Sequence, residues 1–117
     1  RVDDTSFYEA DDLAGAVEGV PESAFRLLLA HTPELALEAP AHGIDFYLCG
    51  HTHAGQVRLP LVGPVIFNSR CPRRFCEGIW EHQGMQGYTT SGAGATDTPV
   101  RFNCPGEIVV ITLRRRT

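Results

Sequence analysis

Three histidines that directly follow short apolar runs are the residues best suited to chemistry in this sequence. His31 follows residues 25–30 (FRLLLA). His51 and His53 belong to the sequence GHTH, which follows residues 44–49 (IDFYLC). Neutral imidazole is the commonest metal ligand in proteins, and two histidines one residue apart on a turn can both face one site. We therefore predict that His31, His51 and His53 bind metal.

The two apolar runs are the elements that must bring these histidines together. Each run is short and bounded by turn signals, which is typical of a strand buried on both faces. Between them, Thr32 and Pro33 are suited to begin a short helix over residues 33–39, which Pro40 is expected to end. A strand–helix–strand connection favours two parallel strands in one sheet. The histidines would then share the carboxyl edge of the sheet, where open α/β sheets bind ligands.

The rest of the chain is predicted to belong to the same domain and to be mostly antiparallel. A helix over residues 13–17, capped by Asp11 or Asp12, is expected to precede the strand–helix–strand unit. The later strand candidates are residues 56–59, 65–67, 76–80, 87–90 and 107–113. The third and fourth of these are expected to form a hairpin across residues 82–85. We therefore predict a single α/β domain over residues 1–117.

Composition excludes several classes of protein. The chain has 117 residues, of which 43% are hydrophobic, and a net charge of −4. It can bury one modest core, and it lacks the basic excess that nucleic-acid binding requires. No apolar stretch reaches the roughly 18 residues of a membrane-spanning helix. Because the chain begins with Arg1 and not Met, we expect an internal start, with any membrane anchor upstream of it.

Four cysteines lie at positions 49, 71, 76 and 104. The spacing of Cys71 and Cys76 is not that of a CxxC metal-binding pair, and a chain this apolar does not need a disulfide scaffold. We therefore expect reduced thiols and a cytoplasmic location. Whether Cys71 and Cys76 pair across their short loop is left open by the sequence.

Other polar residues near the apolar runs are assigned structural roles or left open. His42 is expected to interact with the end of the preceding helix, His82 to be solvated in the hairpin turn, and Asp45 to lie in a turn. For four arginines, a phosphate clamp and a plain surface charge both stay open as interpretations. These are Arg58, Arg70, Arg73 and Arg74.

The residues around the histidines resemble a known family. The sequences LLLAHTPELAL and IDFYLCGHTHAGQVRLP are similar to the late motifs of calcineurin-like metallophosphoesterases, a single His followed by GHxH. The tail from residue 89 resembles the bacterial YkuE- or YaeI-like branch. The resemblance implies an α/β fold, the C-terminal half of a two-sheet αββα sandwich. It also implies that His31 and His51 bind one divalent ion and His53 a neighbouring one, with Mn, Fe or Zn as the metal and His51 as a catalytic residue.

The resemblance is incomplete, because the early DxH, GD and GNH motifs of the family occur nowhere in this sequence. A two-metal clamp on the reacting phosphate needs both ions. We therefore expect the parent protein to hydrolyse phosphoesters and this chain alone to be inactive or nearly so. The alternatives are a non-catalytic metal-binding fragment and a subunit whose site is completed by another chain.

The resemblance also suggests partners. The expected substrate is a phosphoester, lipid-linked or nucleotide-like. Residues 59–67 (LPLVGPVIF) are apolar. If exposed they would suit a lipid tail or a membrane surface, but we expect them to be buried between two short strands. Unpaired strand edges in an isolated chain favour a dimer or a swapped element.

Overall fold

A four-stranded mixed sheet and a separate two-stranded ribbon form the β structure of the computed structural model. The structure describes residues 12–67, 69–96 and 99–115. The strands are β1 (Leu27–Leu29), β2 (Phe46–Cys49), β3 (Arg58–Leu59), β4 (Gly63–Pro64), β5 (Gly78–His82) and β6 (Met85–Thr89). The sheet has the order β1-β2-β6-β5, and β3 pairs with β4. Strands β1, β2 and β6 are parallel and β5 is antiparallel to β6, so the predicted α/β class with a parallel unit followed by antiparallel strands is confirmed.

The connection between β1 and β2 differs from the predicted helix. It consists of two 3₁₀ turns, Glu34–Leu37 and Ala39–His42. Pro33, and not Thr32, occupies the capping position of the first turn, and Pro40 lies inside the second turn. A proline is tolerated there because the first N–H groups of a helical turn have no partner within it. The segment is too short for a stable α-helix, so tighter turns span the distance instead.

The hairpin of β5 and β6 was correctly predicted, although its strands begin two residues away from the expected positions. Gln83 and Gly84 connect the strands with φ values of 50° and 84°, which suits the two-residue turns that match strand twist. His82 is the last residue of β5 and lies edge-on to the Phe75 ring, 5.6 Å between centroids. His82 therefore ends a strand and does not lie in the turn as predicted, because strand pairing extends two residues further than expected.

The core lies on one face of the sheet and is centred on aromatic residues. Tyr47 of β2 and Phe75 are completely buried, and both pack edge-on against the Trp80 ring, with centroids 5.6 and 5.0 Å away. The Tyr47 hydroxyl donates a hydrogen bond to the Thr32 carbonyl at 2.6 Å, so the core ring also ties β2 to the segment that follows β1. A buried phenol needs such a partner.

The opposite face of β1 is open, which corrects the prediction of strands buried on both faces. Leu28 is buried, but Leu27 and Leu29 on either side of it are exposed. Alternation of this kind is what a sheet shows when one face is packed and the other is not. Within the described residues, nothing covers the face that Leu27 and Leu29 present. The prediction from the continuous apolar run therefore overestimated how much of β1 is buried.

The ribbon of β3 and β4 is shorter than predicted and shifted along the chain. Its second strand is Gly63–Pro64 and not residues 65–67, because Leu61 and Gly63 take positive φ values and close the turn early. Pro64 has no N–H to extend the ladder. The expected burial of residues 59–67 was also wrong, since the side chains of Leu61, Val62 and Ile66 are largely exposed.

The predicted last strand, residues 107–113, is not a strand in the structure. Its β-branched side chains are exposed, most of all Ile108 and Val110. A strand needs a partner for its backbone groups, and within the described residues the segment joins no ladder: its first residue, Glu107, donates its N–H to the Gly92 carbonyl at 2.9 Å, and the pairing does not continue. High β-propensity was therefore insufficient to define a strand here.

The chain before the sheet contains one short helix, α1 (Leu13–Val17). Its cap is one of the two predicted residues, Asp12, whose side chain accepts a hydrogen bond from the Gly15 backbone N–H at 2.7 Å. In the described part of the chain, no helix has the length and apolar character needed to cross a membrane.

Candidate metal centre

The carboxyl ends of three parallel strands are tied together at one edge of the sheet. The Gly50 N–H, just after β2, donates to the His31 carbonyl at 2.9 Å. On the other side of β2, the Thr90 N–H donates to the Cys49 carbonyl at 2.9 Å. The predicted convergence of the first two strands at this edge is therefore confirmed, and β6 joins them there.

His31 and His51 are in direct contact at this edge. His31 Nε2 and His51 Nδ1 lie 3.0 Å apart, and the two rings meet edge to face with centroids separated by 4.9 Å. His31 is exposed and His51 is half-buried, so both rings are accessible to solvent. The sequence analysis was right that these two histidines come together.

The segment that carries His51 and His53 has an unusual backbone. His51, His53, Ala54 and Gln56 have φ values of 69°, 46°, 49° and 55°. Non-glycine residues rarely adopt such values, and they persist where the surrounding structure imposes them. Here Thr52 supplies the restraint, since its buried hydroxyl donates to the Cys76 carbonyl at 2.6 Å. The strain thus lies on the residues whose side chains form the candidate site.

His53 faces a different part of the structure from the other two histidines. Its Nδ1 lies 3.5 Å from Arg101 Nη1, and its carbonyl accepts a hydrogen bond from the Cys104 thiol at 3.3 Å. Burial, followed by the charge of Arg101, lowers the pKa of His53. The neutral imidazole that metal binding requires is therefore the favoured form at neutral pH.

Arg101 was missed by the sequence analysis and is the main organiser of the loop beside His53. Its guanidinium donates to the carbonyls of four residues. These are Ser91, Gly94, Cys104 and Pro105. An arginine supplies five donors in a fixed plane, so one side chain holds together two separate stretches of a glycine- and proline-rich loop. The only sequence signal for this role was a single arginine in a segment otherwise rich in turn residues.

Glu107 was also missed, since it was interpreted only as the first residue of a strand. Its carboxylate accepts hydrogen bonds from the Ser91 N–H at 2.7 Å and from the hydroxyls of Tyr88 and Thr90 at 3.0–3.1 Å. The Ser91 N–H is the main reason that the pKa of Glu107 is lowered. Glu107 therefore fixes the C-terminal segment to the end of β6, next to the candidate site.

The arginines considered as phosphate ligands have other contacts. Arg58 forms an ion pair with Glu77 and donates to the Ala54 carbonyl at 3.2 Å. The guanidinium groups of Arg73 and Arg74 lie over aromatic rings, 5.8 and 4.5 Å from the centroids. The structure therefore gives Arg58 a structural partner next to the histidine segment, and it leaves Arg73 and Arg74 on an exposed surface.

Asp45 and His42 have the structural surroundings that were expected of residues outside the site. The Asp45 carboxylate accepts a hydrogen bond from the Arg26 backbone N–H at 2.7 Å. The carbonyl of His42, at the end of a 3₁₀ turn, accepts one from the Arg26 side chain at 2.8 Å. Both residues therefore lie at the amino end of the parallel strands, away from the edge that carries His31 and His51.

All four cysteines are free thiols, which answers the question left open for Cys71 and Cys76. Burial raises the pKa of Cys49 and of Cys71 to about 12. The thiolate is the form that binds metals and reacts, and burial disfavours it at both cysteines. The histidines are therefore the better ligands in this region.

The separation of His31 and His51 fits two ligands of one ion. Ligands held about 2.0–2.1 Å from an ion at roughly 90–110° are about 2.9–3.4 Å apart, and the two nitrogens here are 3.0 Å apart. Among the described residues, however, no group of three or more His, Cys, Asp or Glu side chains is placed to hold an ion. The described chain thus offers two well-placed donors, and His53 stands apart beside Arg101.

Three curated proteins are similar to this chain over three quarters of its length or more. It is 34% identical over 103 residues to the uncharacterized metallophosphoesterase YkuE of Bacillus subtilis, covering 88% of the chain and 36% of YkuE. It is 38% identical over 88 residues to the phosphodiesterase YaeI of Escherichia coli, covering 75% of the chain and 32% of YaeI. An uncharacterized metallophosphoesterase of Helicobacter pylori is 35% identical over 106 residues, covering 89% of the chain and 27% of that protein.

The chain spans about a third of the length of these relatives. No family model and no solved structure match it. The mixed sheet, with its few short helical turns, is consistent with a fragment of a metallophosphoesterase sandwich. On the sequence similarity, the chain belongs to the YkuE- and YaeI-like metallophosphoesterases and corresponds to a C-terminal part of such a protein.

Proposed function

We propose that the chain contributes three histidines to the two-metal site of a calcineurin-like phosphoesterase that hydrolyses phosphodiesters or phosphomonoesters. His31 and His51 would hold one divalent ion, Mn, Fe or Zn, and His53 would hold its neighbour. The observation that carries the proposal is the 3.0 Å separation between His31 Nε2 and His51 Nδ1 at the carboxyl edge of two parallel strands. The phosphodiesterase name of one relative supports a diester substrate.

The proposed division of labour among the residues follows from their surroundings. Bound divalent ions polarise a phosphoryl oxygen and lower the pKa of water, which supplies the nucleophile. His51 is the proposed catalytic residue on the phosphate side, since its ring is half-buried and contacts His31. Arg101 would keep the His53 ring neutral, because its cation lies beside Nδ1 and disfavours a second proton on the ring.

The proposal assigns hydrolysis to a longer polypeptide and not to these residues alone. The sequence has no DxH, GD or GNH motif, and three histidines are too few to hold two ions in the geometry that phosphoryl transfer needs. The substrate would be a lipid-linked or nucleotide-like phosphoester. A second candidate function is a non-catalytic metal-binding fragment or subunit completed by another chain. The exposed leucines of β1 favour it, because they leave a sheet face available to a partner.

Metal content and hydrolysis, measured side by side, test the proposal. The chain and the longest polypeptide encoded by its gene would be loaded with Mn²⁺, and metal per chain and hydrolysis of bis-p-nitrophenyl phosphate would be recorded. Metal-dependent hydrolysis by the longer polypeptide alone is the expected result. Full activity of the 117-residue chain would contradict the proposed ligand set. Metal binding without hydrolysis by either polypeptide would favour the second candidate.

A further inference from the structure

An exposed apolar ribbon lies next to the histidine segment. We use "apolar ribbon" for residues 59–67, which include the turn between β3 and β4. Leu61 at the turn is fully exposed, and Val62 and Ile66 are 73% and 70% exposed. Soluble proteins rarely expose several large apolar side chains side by side, and such patches usually mark a binding surface.

The charge around the apolar ribbon is opposite to that of the chain as a whole. The chain has a net charge of −4, but no aspartate or glutamate occurs between Asp45 and Glu77. That stretch contains four arginines, at positions 58, 70, 73 and 74. The one at position 58 is neutralised by its ion pair with Glu77. Glu34 accepts a hydrogen bond from the Arg70 backbone N–H at 3.2 Å, so the basic character next to the ribbon comes from the two exposed arginines at positions 73 and 74.

One of these arginines contacts the apolar ribbon, and the next residue is a second arginine in the same short turn. Arg73 belongs to the short 3₁₀ turn Arg73–Phe75, and its guanidinium lies 5.8 Å from the centroid of the Phe67 ring at the end of the ribbon. The Arg74 guanidinium lies 4.5 Å from the centroid of Phe75. Both arginines are exposed. Arginines combine an apolar stem with a charged end, so they extend the apolar surface and give it a cationic border.

We propose that the apolar ribbon and the arginines at positions 73 and 74 dock the protein on the surface of an anionic lipid bilayer. A bilayer interface accepts projecting apolar side chains in its headgroup region and attracts a cationic border at the same time. A protein partner would need an apolar site with an acidic border that matches this one surface, which is a more restrictive requirement. None of the three histidines belongs to this surface, so the proposal does not depend on phosphoester hydrolysis.

Vesicle binding tests this proposal directly. The chain, and separately the longest polypeptide encoded by its gene, would be sedimented with vesicles of phosphatidylcholine alone or with about one-third phosphatidylglycerol. We expect binding to the mixed vesicles that weakens with added salt, because anionic lipid attraction is screened. Binding by neither polypeptide, or binding independent of lipid charge, would overturn the proposal. So would binding by the shorter chain only, since the surface would then be covered in the longer protein.

Matched variants distinguish binding through the apolar ribbon from nonspecific adsorption to the vesicles. Leu61→Ser with Val62→Ser is expected to weaken binding at least about tenfold, and Arg73→Gln with Arg74→Gln about 30-fold at low salt. Ile79→Ser is the apolar control, since Ile79 is 85% exposed on β5 between Glu77 and Glu81. Arg114→Gln with Arg115→Gln is the charge control. Equal losses in the controls would refute a docking site at the ribbon.

Self-association is the competing use of the same surface. Light scattering after size exclusion would be measured on the chain and on the Leu61→Ser, Val62→Ser variant. A monomer in both cases agrees with docking on lipid. A dimer that the double substitution converts to a monomer would show that a second copy covers the ribbon, and it would overturn the membrane proposal.

Discussion

His31 Nε2 and His51 Nδ1 lie 3.0 Å apart, although 20 residues separate them in the sequence. Strand register explains the contact. Leu29 pairs with Leu48, so His31 lies two residues beyond this pair and His51 three residues beyond it. The left-handed backbone of His51, with φ of 69°, turns the chain and compensates for the extra residue. Parallel pairing and one strained residue thus create the closest pair of candidate ligands.

Removal of either histidine of this pair should abolish tight metal binding. We expect His31→Ala and His51→Ala each to weaken Mn²⁺ or Zn²⁺ binding at least about tenfold, since the loss of even an outer partner of a ligand costs 10–100-fold. Calorimetric titration of the longest polypeptide encoded by the gene measures this. His42→Gln is the control, because His42 lies at the other end of the strands. Unchanged binding in both alanine variants would remove the pair from the ligand set.

Gly87 should be intolerant of any side chain. It lies in the middle of β6, where a Cβ would overlap the Trp80 ring. Gly87→Ala is expected to lower the free energy of unfolding by about 1–3 kcal/mol, the usual cost of overpacking a core. Urea unfolding measures the change. Gly94→Ala is the matched control with free space around its Cβ, and an equal loss in both variants would contradict the packing argument.

The stabilisation that Glu107 provides should be lost in acid. Its pKa is lowered, chiefly by the hydrogen bond that its carboxylate accepts from the Ser91 N–H. A carboxyl group with a lowered folded-state pKa contributes stability above its unfolded-state pKa and loses it as the pH falls through the folded-state value. Glu107→Gln should lower the free energy of unfolding by about 1–3 kcal/mol at pH 7. It should also make the free energy of unfolding depend less on pH below the usual carboxyl pKa. Thermal unfolding from pH 7 to pH 3 tests this, and parallel pH profiles for both proteins would contradict it.

Arg101 should control both the loop and the ionisation of His53. Burial and then the Arg101 charge lower the pKa of His53, so Arg101→Gln is expected to raise that pKa towards its usual value. An NMR titration of the metal-free protein follows the His53 ring. Arg101→Lys keeps the charge but loses most of the carbonyl contacts, so it should destabilise the loop while the pKa of His53 stays low. A low pKa in both variants would assign the effect to burial alone.

Parts of the fold that depend on local signals were predictable from the sequence. The Asp12 cap, the parallel pairing of β1 with β2 and the hairpin turn at Gln83 all follow from patterns of a few residues. The 3₁₀ turns were missed because propensity alone does not distinguish a short α-helix from tighter turns. Residues 107–113 were missed because a strand depends on its partner as well as on its own side chains.

The candidate site also has parts that were predictable from the sequence and parts that were not. The sequence by itself predicted which side chains would bind metal and determined that His31 and His51 follow adjacent parallel strands, because residue types and strand order can be read from short stretches of the chain. Only the tertiary structure placed Arg101 beside His53, tied Glu107 to the end of β6 and left the apolar ribbon exposed. The physical reason is distance along the chain: His53 and Arg101 are 48 residues apart, and no local pattern encodes a contact that forms only when separate loops pack together.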